Sequence, residues 1–438
     1  MRAIESALYV LSDVDKRIFA SESLRNRTAK LNESQRKITS YLVYSVYRKK
    51  ELWIKIVKEY LKTDWKSLEP QVKNALLLGT AGLIELSRFT SSVLVNAVVD
   101  SLKERGFTRA SRLVNAVLRK IAANGRKKVE ELRDTNTVEN RALLYGVPLF
   151  AAREWIKDFG PEDADMLLKY NAMKAFLSFR ITPGVSPESL VHDIASSGYR
   201  VWQSPLVPES LRLAGSAHPP SVSGFREGLI TPQSESSMIA GSFFIELFRG
   251  GKALDMCAGR GIKTGQFIQS CPDAIIEAWE ISRKKAEAFD REMKRLGLSE
   301  AVNIRQGDAL KLKPSTAPSI IMVDAPCSGS GTWKRHPEMK WKTEAADIDH
   351  LVKLQESLLE KALEMVVPGG IVVYSTCSLF KKENEQVLSR VLKRYNNFYK
   401  IEVPIKGIHT RKTKKGIFIW PDLPWLDGFY VAALGRTS

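Results

Sequence analysis

Two of the four cysteines in this chain stand where an apolar run gives way to small and polar residues. Cys327 lies in VDAPCSGSG, and Cys377 lies in YSTCS. Because the carboxyl ends of neighbouring parallel strands meet at one edge of a sheet, we expect both thiols to lie at adjacent strand ends. The cysteines form no CxxC pair, and their wide spacing suits neither a zinc site nor a small disulfide scaffold. We therefore expect a cytoplasmic protein with reduced thiols, in which each cysteine is either a core residue or a catalytic residue.

A glycine-containing loop upstream of these motifs is a candidate ligand site. The run KALDM reaches Asp255 and continues into CAGRGIKTGQF, in which Gly259 and Gly261 allow a tight turn and a close approach to a ligand. Thr264 occupies the place of the third glycine of a dinucleotide-binding loop, and the upstream glycine of a triphosphate-binding loop is missing. These departures weaken the case that the loop binds a dinucleotide or a triphosphate.

Two acidic residues complete the candidate cofactor site. Glu280 closes the next predicted strand, where its carboxylate can accept hydrogen bonds from both hydroxyls of a ribose. Asp308 ends the strand after that and can bond an adenine edge. Each of them alone is also readable as an ordinary strand-end carboxylate. The loop and the two acids together match the way in which an adenosyl group is held without phosphates.

The elements that must position these residues divide the chain into three predicted parts. Residues 1–135 show the spacing of amphipathic helices, and residues 136–249 show a mixture of strand and helix patterns that predicts a small α+β module. Residues 250–438 alternate short apolar runs with helical patterns, which is typical of a mostly parallel α/β sheet. We therefore predict a multidomain protein with an all-α domain, an α+β module and a Rossmann-like α/β domain.

Local signals add detail to this division. Gly106 and Gly125 are predicted to end helices in the first part. In the second part, a strand in NAMKAFLSFRITP precedes a helix that Ser186 or Ser189 caps. The stretch from 203 to 233 is rich in proline, serine and glycine and is predicted to be mostly loop.

The charge of the chain points to a polyanionic partner. Lys and Arg number 67 against 49 Asp and Glu, which leaves a formal charge of +18 and favours nucleic acid or an anionic membrane surface. No apolar run is long enough for a membrane span, so no membrane partner is expected. Basic clusters recur at 48–50, 119–120 and 126–128. Each could be an ordinary solvated helix end, but their recurrence favours a phosphate-binding face.

Taken together, the motifs resemble those of the RsmB and Sun family of RNA 5-methylcytosine methyltransferases. The matching pieces are DAPCSGSG (324–331), RHPEMKW (335–341) and STCS (375–378), followed by an acidic and amide-rich helix start at 383–385. DMCAGRGIKT (255–264), GLITPQSESS (228–237) and the final DGFYVAAL also fit. Upstream, LVYSVYRKKELW, LLLGTAGLIEL and SRLVNAVLRKI look like the NusB-like helical domain that some members carry. The resemblance thus covers nearly the whole chain.

The resemblance implies an S-adenosylmethionine-dependent enzyme that methylates carbon-5 of a cytosine in a structured RNA. Cys377 would be the covalent nucleophile, Cys327 would govern product release, and Asp324 would relieve charge on the ring nitrogen or touch the cofactor. The implied cofactor-binding residues are Cys257, Ala258, Gly259, Arg260, Gly261, Ile262, Lys263, Glu280, Lys285, Asp308 and Asp324. No metal is implied. The chain departs from the family pattern in the loop 259–264, at Glu280, at Lys285 and at Ser234.

The chemistry explains why such a site needs a thiol. Carbon-5 of cytosine is a weak nucleophile, and a thiolate added at carbon-6 makes it reactive. A nearby cation, for which Lys263 is a candidate, is expected to favour the thiolate. The base must leave its stack to reach a buried thiol, so a single-stranded or looped RNA is expected. Trp333 and Trp341 are available for base stacking, or belong to the core.

Two rival interpretations remain at this point. The first is an RNA-binding protein whose catalytic domain has decayed, against which the intact Cys327, Cys377 and Asp324 count. The second is a DNA cytosine methyltransferase, which would use the cysteine after proline as its nucleophile; Thr376 before Cys377 decides for the RNA family. The helical first domain favours small-subunit ribosomal RNA over transfer RNA. We expect the protein to act as a monomer.

Overall fold

The structure is a computed structural model, and it describes residues 2–86, 90–215, 217–402 and 410–438. Among the helices of these residues, none is both long enough and apolar enough to cross a bilayer. The described chain groups into two compact units. The boundaries predicted after residues 135 and 249 stay a prediction.

The first unit contains Met1–Met173 together with Trp333–Thr343. The amphipathic patterns of the first part form helices, as predicted, and their apolar faces enclose a common core. The helices are α1 (Arg2–Asp15), α2 (Ala20–Arg27), α3 (Glu33–Arg48), α4 (Lys50–Lys58), α5 (Pro70–Glu85), α6 (Ser91–Glu104), α7 (Thr108–Arg133), α8 (Val138–Tyr145), α9 (Leu149–Phe159) and α10 (Pro161–Ala172).

The two glycines predicted to end helices behave differently. Gly106 follows α6 with a φ of 86°, a conformation that favours glycine, and the helix ends there as predicted. The prediction for Gly125 is wrong, because this residue lies buried inside α7. A Cβ at Gly125 would lie 2.9 Å from Cγ2 of Ile121 and 3.3 Å from Cδ1 of Ile84. The missing side chain therefore allows α7 to pack closely against α5.

Trp333–Thr343, which we call the anchoring segment, joins the helical unit although the chain on both sides belongs to the other unit. Only 1% of Trp333 is exposed, and its ring centroid lies 6.1 Å from that of Trp155. Nζ of Lys334 lies 4.2 Å from the ring centroid of Tyr170, over its face. The segment is therefore built into the helical core.

The second unit begins with a small antiparallel sheet. Its strands are β1 (Leu177–Ile181), β2 (Val201–Gln203), β3 (Ser210–Leu213) and β4 (Ile230–Pro232), in the order β2-β3-β1-β4. The helix α11 (Pro187–Ser196) starts at Ser186, whose side chain accepts a hydrogen bond from N of Ser189. The described part of 203–233 is mostly loop, as predicted, and β3, whose residues are all buried, and β4 are short strands within it. Ser216, within the same stretch, lies outside the described residues.

The larger sheet of the second unit has nine strands among the described residues. They are β5 (Lys252–Asp255), β6 (Ile275–Glu280), β7 (Val302–Gln306), β8 (Ile320–Asp324), β9 (Ile371–Thr376), β10 (Phe398–Ile401), β11 (Thr410–Lys412), β12 (Ile417–Ile419) and β13 (Phe429–Arg436). The helices are α12 (Glu235–Leu247), α13 (Ile262–Ser270), α14 (Arg283–Leu296), α15 (Ala345–Met365) and α16 (Glu385–Val391). The predicted strand and helix alternation is confirmed.

Sheet topology places the candidate site. Eight strands follow the order β11-β12-β13-β9-β8-β5-β6-β7, and β10 pairs with β13. Strands β5 to β9 are parallel, and β13 is antiparallel to β9. The chain runs from β5 outward through β6 and β7, and then returns to the other side of β5 with β8. Ligands of open α/β sheets bind at such a reversal, outside the carboxyl ends of the strands. The loop after β5 and the loops after β8 and β9, which carry the two cysteines, share this edge.

Candidate active site

The loop between β5 and α13 is held by its own polar groups. The buried carboxylate of Asp255 accepts hydrogen bonds from Oγ1 of Thr264 at 2.7 Å and from N of Cys257 at 3.2 Å. Gly259 and Gly261 have φ values of 59° and 82°. A Cβ at Gly261 would lie 2.7 Å from Cδ2 of Phe289 on α14, so the turn requires glycine there.

The acidic residues predicted for the adenosyl group lie at the ends of β6 and β7. Glu280 accepts hydrogen bonds from N of Gly259 at 2.9 Å and from N of Ser282 at 2.7 Å, which links it directly to the loop. Each carboxylate oxygen can accept a further bond from a ligand. The carboxylate of Asp308 accepts from N of Leu310 at 3.0 Å, and about a third of its side chain is exposed.

The other predicted cofactor residues are spread around the same loop. N of Ala258 donates to O of Trp279 at 2.9 Å, Arg260 is exposed, and Ile262 is the first residue of α13. Lys285 lies in the first turn of α14 and is exposed. The structure thus brings the loop and Glu280 into contact, whereas Asp308 and Lys285 lie on neighbouring elements of the same sheet edge.

The two cysteines meet, as their positions after β8 and β9 predict. Sγ of Cys327 lies 3.3 Å from Sγ of Cys377, and both residues are partly exposed. N of Gly331 donates to O of Cys377 at 2.9 Å, and Oγ1 of Thr332 lies 3.9 Å from its sulfur. The loop that carries Cys327 therefore folds back over Cys377.

An ion pair stands beside the thiols. Nζ of Lys263 donates to Oδ2 of Asp324 at 2.6 Å, and Oγ of Ser375 donates to Oδ1 of the same carboxylate at 2.8 Å. Burial by itself lowers the pKa of Lys263, but the charge of Asp324, the hydrogen bond to it and the nearby Cys377 outweigh burial and raise that pKa. Lys263 consequently stays cationic at neutral pH.

Other thiols of the site hold their protons. The hydrogen bond with Cys377 raises the pKa of Cys327 well above its ordinary value, and burial and the charge of Glu383 raise it further. Burial raises the pKa of Cys257, with added repulsion from Asp255. Cys327 therefore enters the site as a thiol that can donate to the sulfur of Cys377.

Sequence reasoning missed the support behind the cysteine loops. Glu383 is fully buried and accepts hydrogen bonds from Ser328 and Ser378, the residues that follow the two cysteines. Gln355 on α15 donates to the same carboxylate and to the carbonyl oxygen of Pro326. The acidic helix start at 383–385 was a visible signal, but its pattern does not say what the acid binds.

The two tryptophans considered for base stacking belong to the helical unit. Trp333 is buried core, and Nε1 of Trp341 donates to O of Tyr47 while its ring packs on the helical core. Of the two alternatives left open for Trp333, the core is therefore the one that the structure supports, because the ring has no exposed face. A stacking residue needs an open ring face, and the pattern of the sequence does not distinguish an open ring from a buried one.

The basic clusters are not equally available. Lys49 pairs with Glu85 at 2.9 Å, and burial lowers the pKa of Arg48, so the cluster at 48–50 is partly built into the helical unit. Arg119, Lys120, Arg126 and Lys127 are exposed on α7. A phosphate-binding face, if formed by these clusters, would therefore lie on α7.

Comparison with known families identifies both parts of the chain. Residues 244–435 match the family model described as 16S rRNA methyltransferase RsmB/F. The carboxy-terminal domain belongs to the RsmB/F family. Residues 1–123 match the NusB family. The resemblance seen in the motifs is confirmed, and the chain carries an RsmB/F-type rRNA methyltransferase domain behind a NusB-family domain.

Relatives and solved structures extend the likeness over the full length. Ribosomal RNA small subunit methyltransferase B of Thermus thermophilus is 27% identical over 442 residues, which span 99% of this chain and 97% of the relative. The protein of the same name from Xanthomonas campestris is 24% identical over 410 residues, or 92% and 89% of the two chains. The crystal structure of PH0851 matches with a TM-score of 0.86 and 22% identity over 99% of this chain and 98% of that chain, which shows a shared fold.

Proposed function

We propose that the protein transfers a methyl group from S-adenosylmethionine to carbon-5 of a cytosine in small-subunit ribosomal RNA through a covalent bond to Cys377. The observation that carries this proposal is the pair of sulfur atoms 3.3 Å apart, beside the Lys263–Asp324 ion pair. A protein that only binds RNA has no use for two adjoining thiols at a ligand edge. The names of the Thermus and Xanthomonas relatives favour the small ribosomal subunit.

The donor set around the loop after β5 fits S-adenosylmethionine. Glu280 and Asp308 offer carboxylate oxygens, which suit the hydroxyl and amine donors of an adenosyl group. The glycine turn allows close backbone approach, and the loop lacks the pattern of a phosphate cradle. When bound, the cofactor supplies a methyl group on a positively charged sulfur, which makes that carbon electrophilic.

Cys377 begins the reaction by attacking the cytosine. Its thiolate sulfur forms a bond to carbon-6, and the electron pair of the 5,6 double bond moves to carbon-5. Carbon-5 then takes the methyl group, whose bond to the donor sulfur breaks with the electron pair left on that sulfur. Negative charge pushed toward the ring nitrogen is relieved by the ion pair of Lys263 and Asp324. Because Lys263 already bonds this carboxylate, we assign the role to the pair and not to Asp324 alone.

Cys327 completes the reaction by taking the proton from carbon-5. The released electron pair restores the 5,6 double bond, and the bond between carbon-6 and the sulfur of Cys377 breaks, which returns a thiolate. The hydrogen bond with Cys377 is the largest cause of the raised pKa of Cys327. Once Cys377 is bound to carbon, that bond is lost, and Cys327 passes its proton to solvent and becomes the thiolate that takes the proton from carbon-5. The base is therefore prepared by the attack itself.

Two single variants test these roles. Cys377→Ala removes the attacking sulfur, so we expect no methylation and no covalent RNA adduct. Cys327→Ala still attacks and methylates but stalls before release, so a methylated protein–RNA species should survive denaturing electrophoresis. The double variant should behave like Cys377→Ala, because release has no meaning once attack is blocked.

Other outcomes would point to the rival functions. An adduct in Cys377→Ala and none in Cys327→Ala would place the nucleophile on the proline–cysteine motif, as in DNA methyltransferases. Methylation retained in both variants, without adduct, would refute covalent catalysis. A wild-type protein that binds RNA and never methylates it would be a binding protein with a decayed domain.

The charge of the chain and the exposed cations of α7 support an RNA partner. Bisulfite sequencing of total RNA from cells with and without this protein should show one protected cytosine that depends on it in the small-subunit ribosomal RNA. A dependent cytosine in transfer RNA instead would redirect the substrate while leaving the chemistry in place.

A further inference from the structure

Glu383 presents a buried carboxylate between the two cysteine loops. It is 0% exposed, and both of its oxygens are used. Oε1 accepts hydrogen bonds from N of Ser328 at 2.8 Å and from Nε2 of Gln355 at 3.0 Å. Oε2 accepts from Oγ of Ser328 and from Oγ of Ser378, each at 2.5 Å. Four neutral donors thus converge on one carboxylate in the core, and bonds to a charged acceptor are stronger than bonds between neutral groups.

Two of the residues that donate to Glu383 are the sequence neighbours of the two cysteines. Ser328 directly follows Cys327, and Ser378 directly follows Cys377. One buried carboxylate therefore holds the residue after each cysteine. Gln355 extends the hold to the residue before Cys327, because its Nε2 also donates to O of Pro326 at 2.8 Å.

We propose that Glu383 is a positioning residue that sets the distance between the sulfur atoms of Cys327 and Cys377. Its catalytic meaning rests on the proposed function, in which one sulfur attacks and the other must reach the proton on carbon-5 of the same ring. Backbone and serine bonds also join the two loops, but Glu383 is the buried carboxylate that bonds both of them directly beside the cysteines.

The substitution Glu383→Gln separates this role from general support. An amide offers one acceptor oxygen and one NH₂ donor, whereas N–H of Ser328 and Nε2 of Gln355 can only donate. The hydroxyl of Ser378 can rotate to accept, so the variant has a route to fold. With the amide oxygen in the first position, both hydroxyls at the second position must turn to accept from the NH₂ group, and the negative charge on which the four donors converge is lost. Glu385→Gln, two residues on and partly exposed, is the matched control.

The test uses phenylarsine oxide, which bridges two close thiols. Two As–S bonds form, both thiol protons go to the oxide oxygen, and water leaves. Wild-type protein should bind one equivalent of phenylarsine oxide, and Cys327→Ser should abolish this binding. In Glu383→Gln the affinity should fall by about ten-fold or more, which corresponds to about 1.4 kcal/mol. Alkylation of single thiols by iodoacetamide should persist, and Glu385→Gln should match wild type.

Methylation supplies the second measurement. With RNA and S-adenosylmethionine, Glu383→Gln should accumulate adduct as Cys327→Ala does, because attack needs one sulfur and release needs both in register. If Glu383→Gln does not fold, Ser378→Ala, which removes a single donor, takes its place with the same expectations. Wild-type arsenical affinity together with normal release in the folded variant would overturn the proposal. A lowered arsenical affinity with no adduct in any variant would leave the positioning role standing and refute the covalent function.

Discussion

Lys340 is a buried cation whose neutralisation should raise the stability of the helical unit. It belongs to the anchoring segment, none of its surface is exposed, and its Nζ donates to O of Arg48 at 2.9 Å. Burial, with added repulsion from Arg48 and Lys49, lowers the pKa of Lys340 from 10.5 to about 7. The substitution Lys340→Met keeps an unbranched side chain and removes the charge.

The size and sign of the effect follow from proton linkage. Between pH 7 and 10.5 the unfolded chain holds a proton on Lys340 that the folded chain releases, so the free energy of unfolding rises with pH across this window. A pKa of about 7 in place of 10.5 corresponds to about 5 kcal/mol in total. About 2 kcal/mol of this should appear between pH 7 and 9, and below pH 7 the full cost is present.

The assay is urea unfolding of the full chain at pH 7 and at pH 9. Other groups titrate in this range, so the quantity of interest is the change between the two pH values in wild type minus that in Lys340→Met. We expect this difference to be about 2 kcal/mol. At pH 7 the variant should be more stable by about 3 kcal/mol, after the loss of one hydrogen bond is subtracted.

Lys58→Met, on an exposed part of α4, should leave the pH dependence as it is in wild type. Equal pH dependence in wild type and Lys340→Met would refute the reasoning, because it would mean that Lys340 titrates alike in the folded and unfolded chain. A variant less stable than wild type at pH 7 would show that the hydrogen bond to Arg48 outweighs the cost of the buried charge.

Three shorter predictions concern the cofactor, the RNA and the loop after β5. S-adenosylmethionine at a hundred times its dissociation constant should stabilise the protein by about 2.7 kcal/mol. Glu280→Ala should reduce this thermal shift with little change in the melting midpoint of the unliganded protein. An equal shift from NAD, with none from S-adenosylmethionine, would contradict the assignment. Replacing Arg119 and Lys120 by Gln should lower the slope of log affinity for RNA against log salt by about 1.4 to 1.8, and an unchanged slope would remove α7 from the RNA face. Burial raises the pKa of Asp255 to about 7. Between pH 4 and 7 the folded chain therefore holds a proton that the unfolded chain releases, so the free energy of unfolding should fall as pH rises. Urea unfolding of Asp255→Asn should lack this fall.

The sheet and its catalytic edge could be predicted because their determinants are local. Each parallel strand is a short apolar run followed by functional residues, and parallel pairing brings those residues to one edge whatever the strand order. The meeting of Cys327 and Cys377 therefore follows from two short motifs. The helical first part follows in the same way from periodicity alone, which a single glycine such as Gly125 does not interrupt.

Errors and open alternatives arise where distant parts of the chain decide the outcome. Gly125 was predicted to end a helix because glycine disfavours helices, yet the approach of Ile84 from α5 makes glycine the residue that fits. The strand β3 is hidden among prolines and serines, and pairing with β1 creates it. Trp333 is of a residue type that can stack on a base, but its packing places it in the core. None of these contacts leaves a periodic trace in the sequence.

Under the proposed function, the different supports of the two cysteines give a physical reason for a nucleophile on the second motif. Cys377 directly follows the last residue of β9, so the sheet itself fixes it. Cys327 lies three residues beyond Asp324, the last residue of β8, on the loop that follows this strand. Beside Cys327, that loop is held by Glu383, which accepts a hydrogen bond from N of Ser328. An attacking atom needs a fixed approach to carbon-6, which a strand end supplies. A base that acts only after the adduct has formed can stand on a loop, so a small displacement of that loop should slow release more than attack.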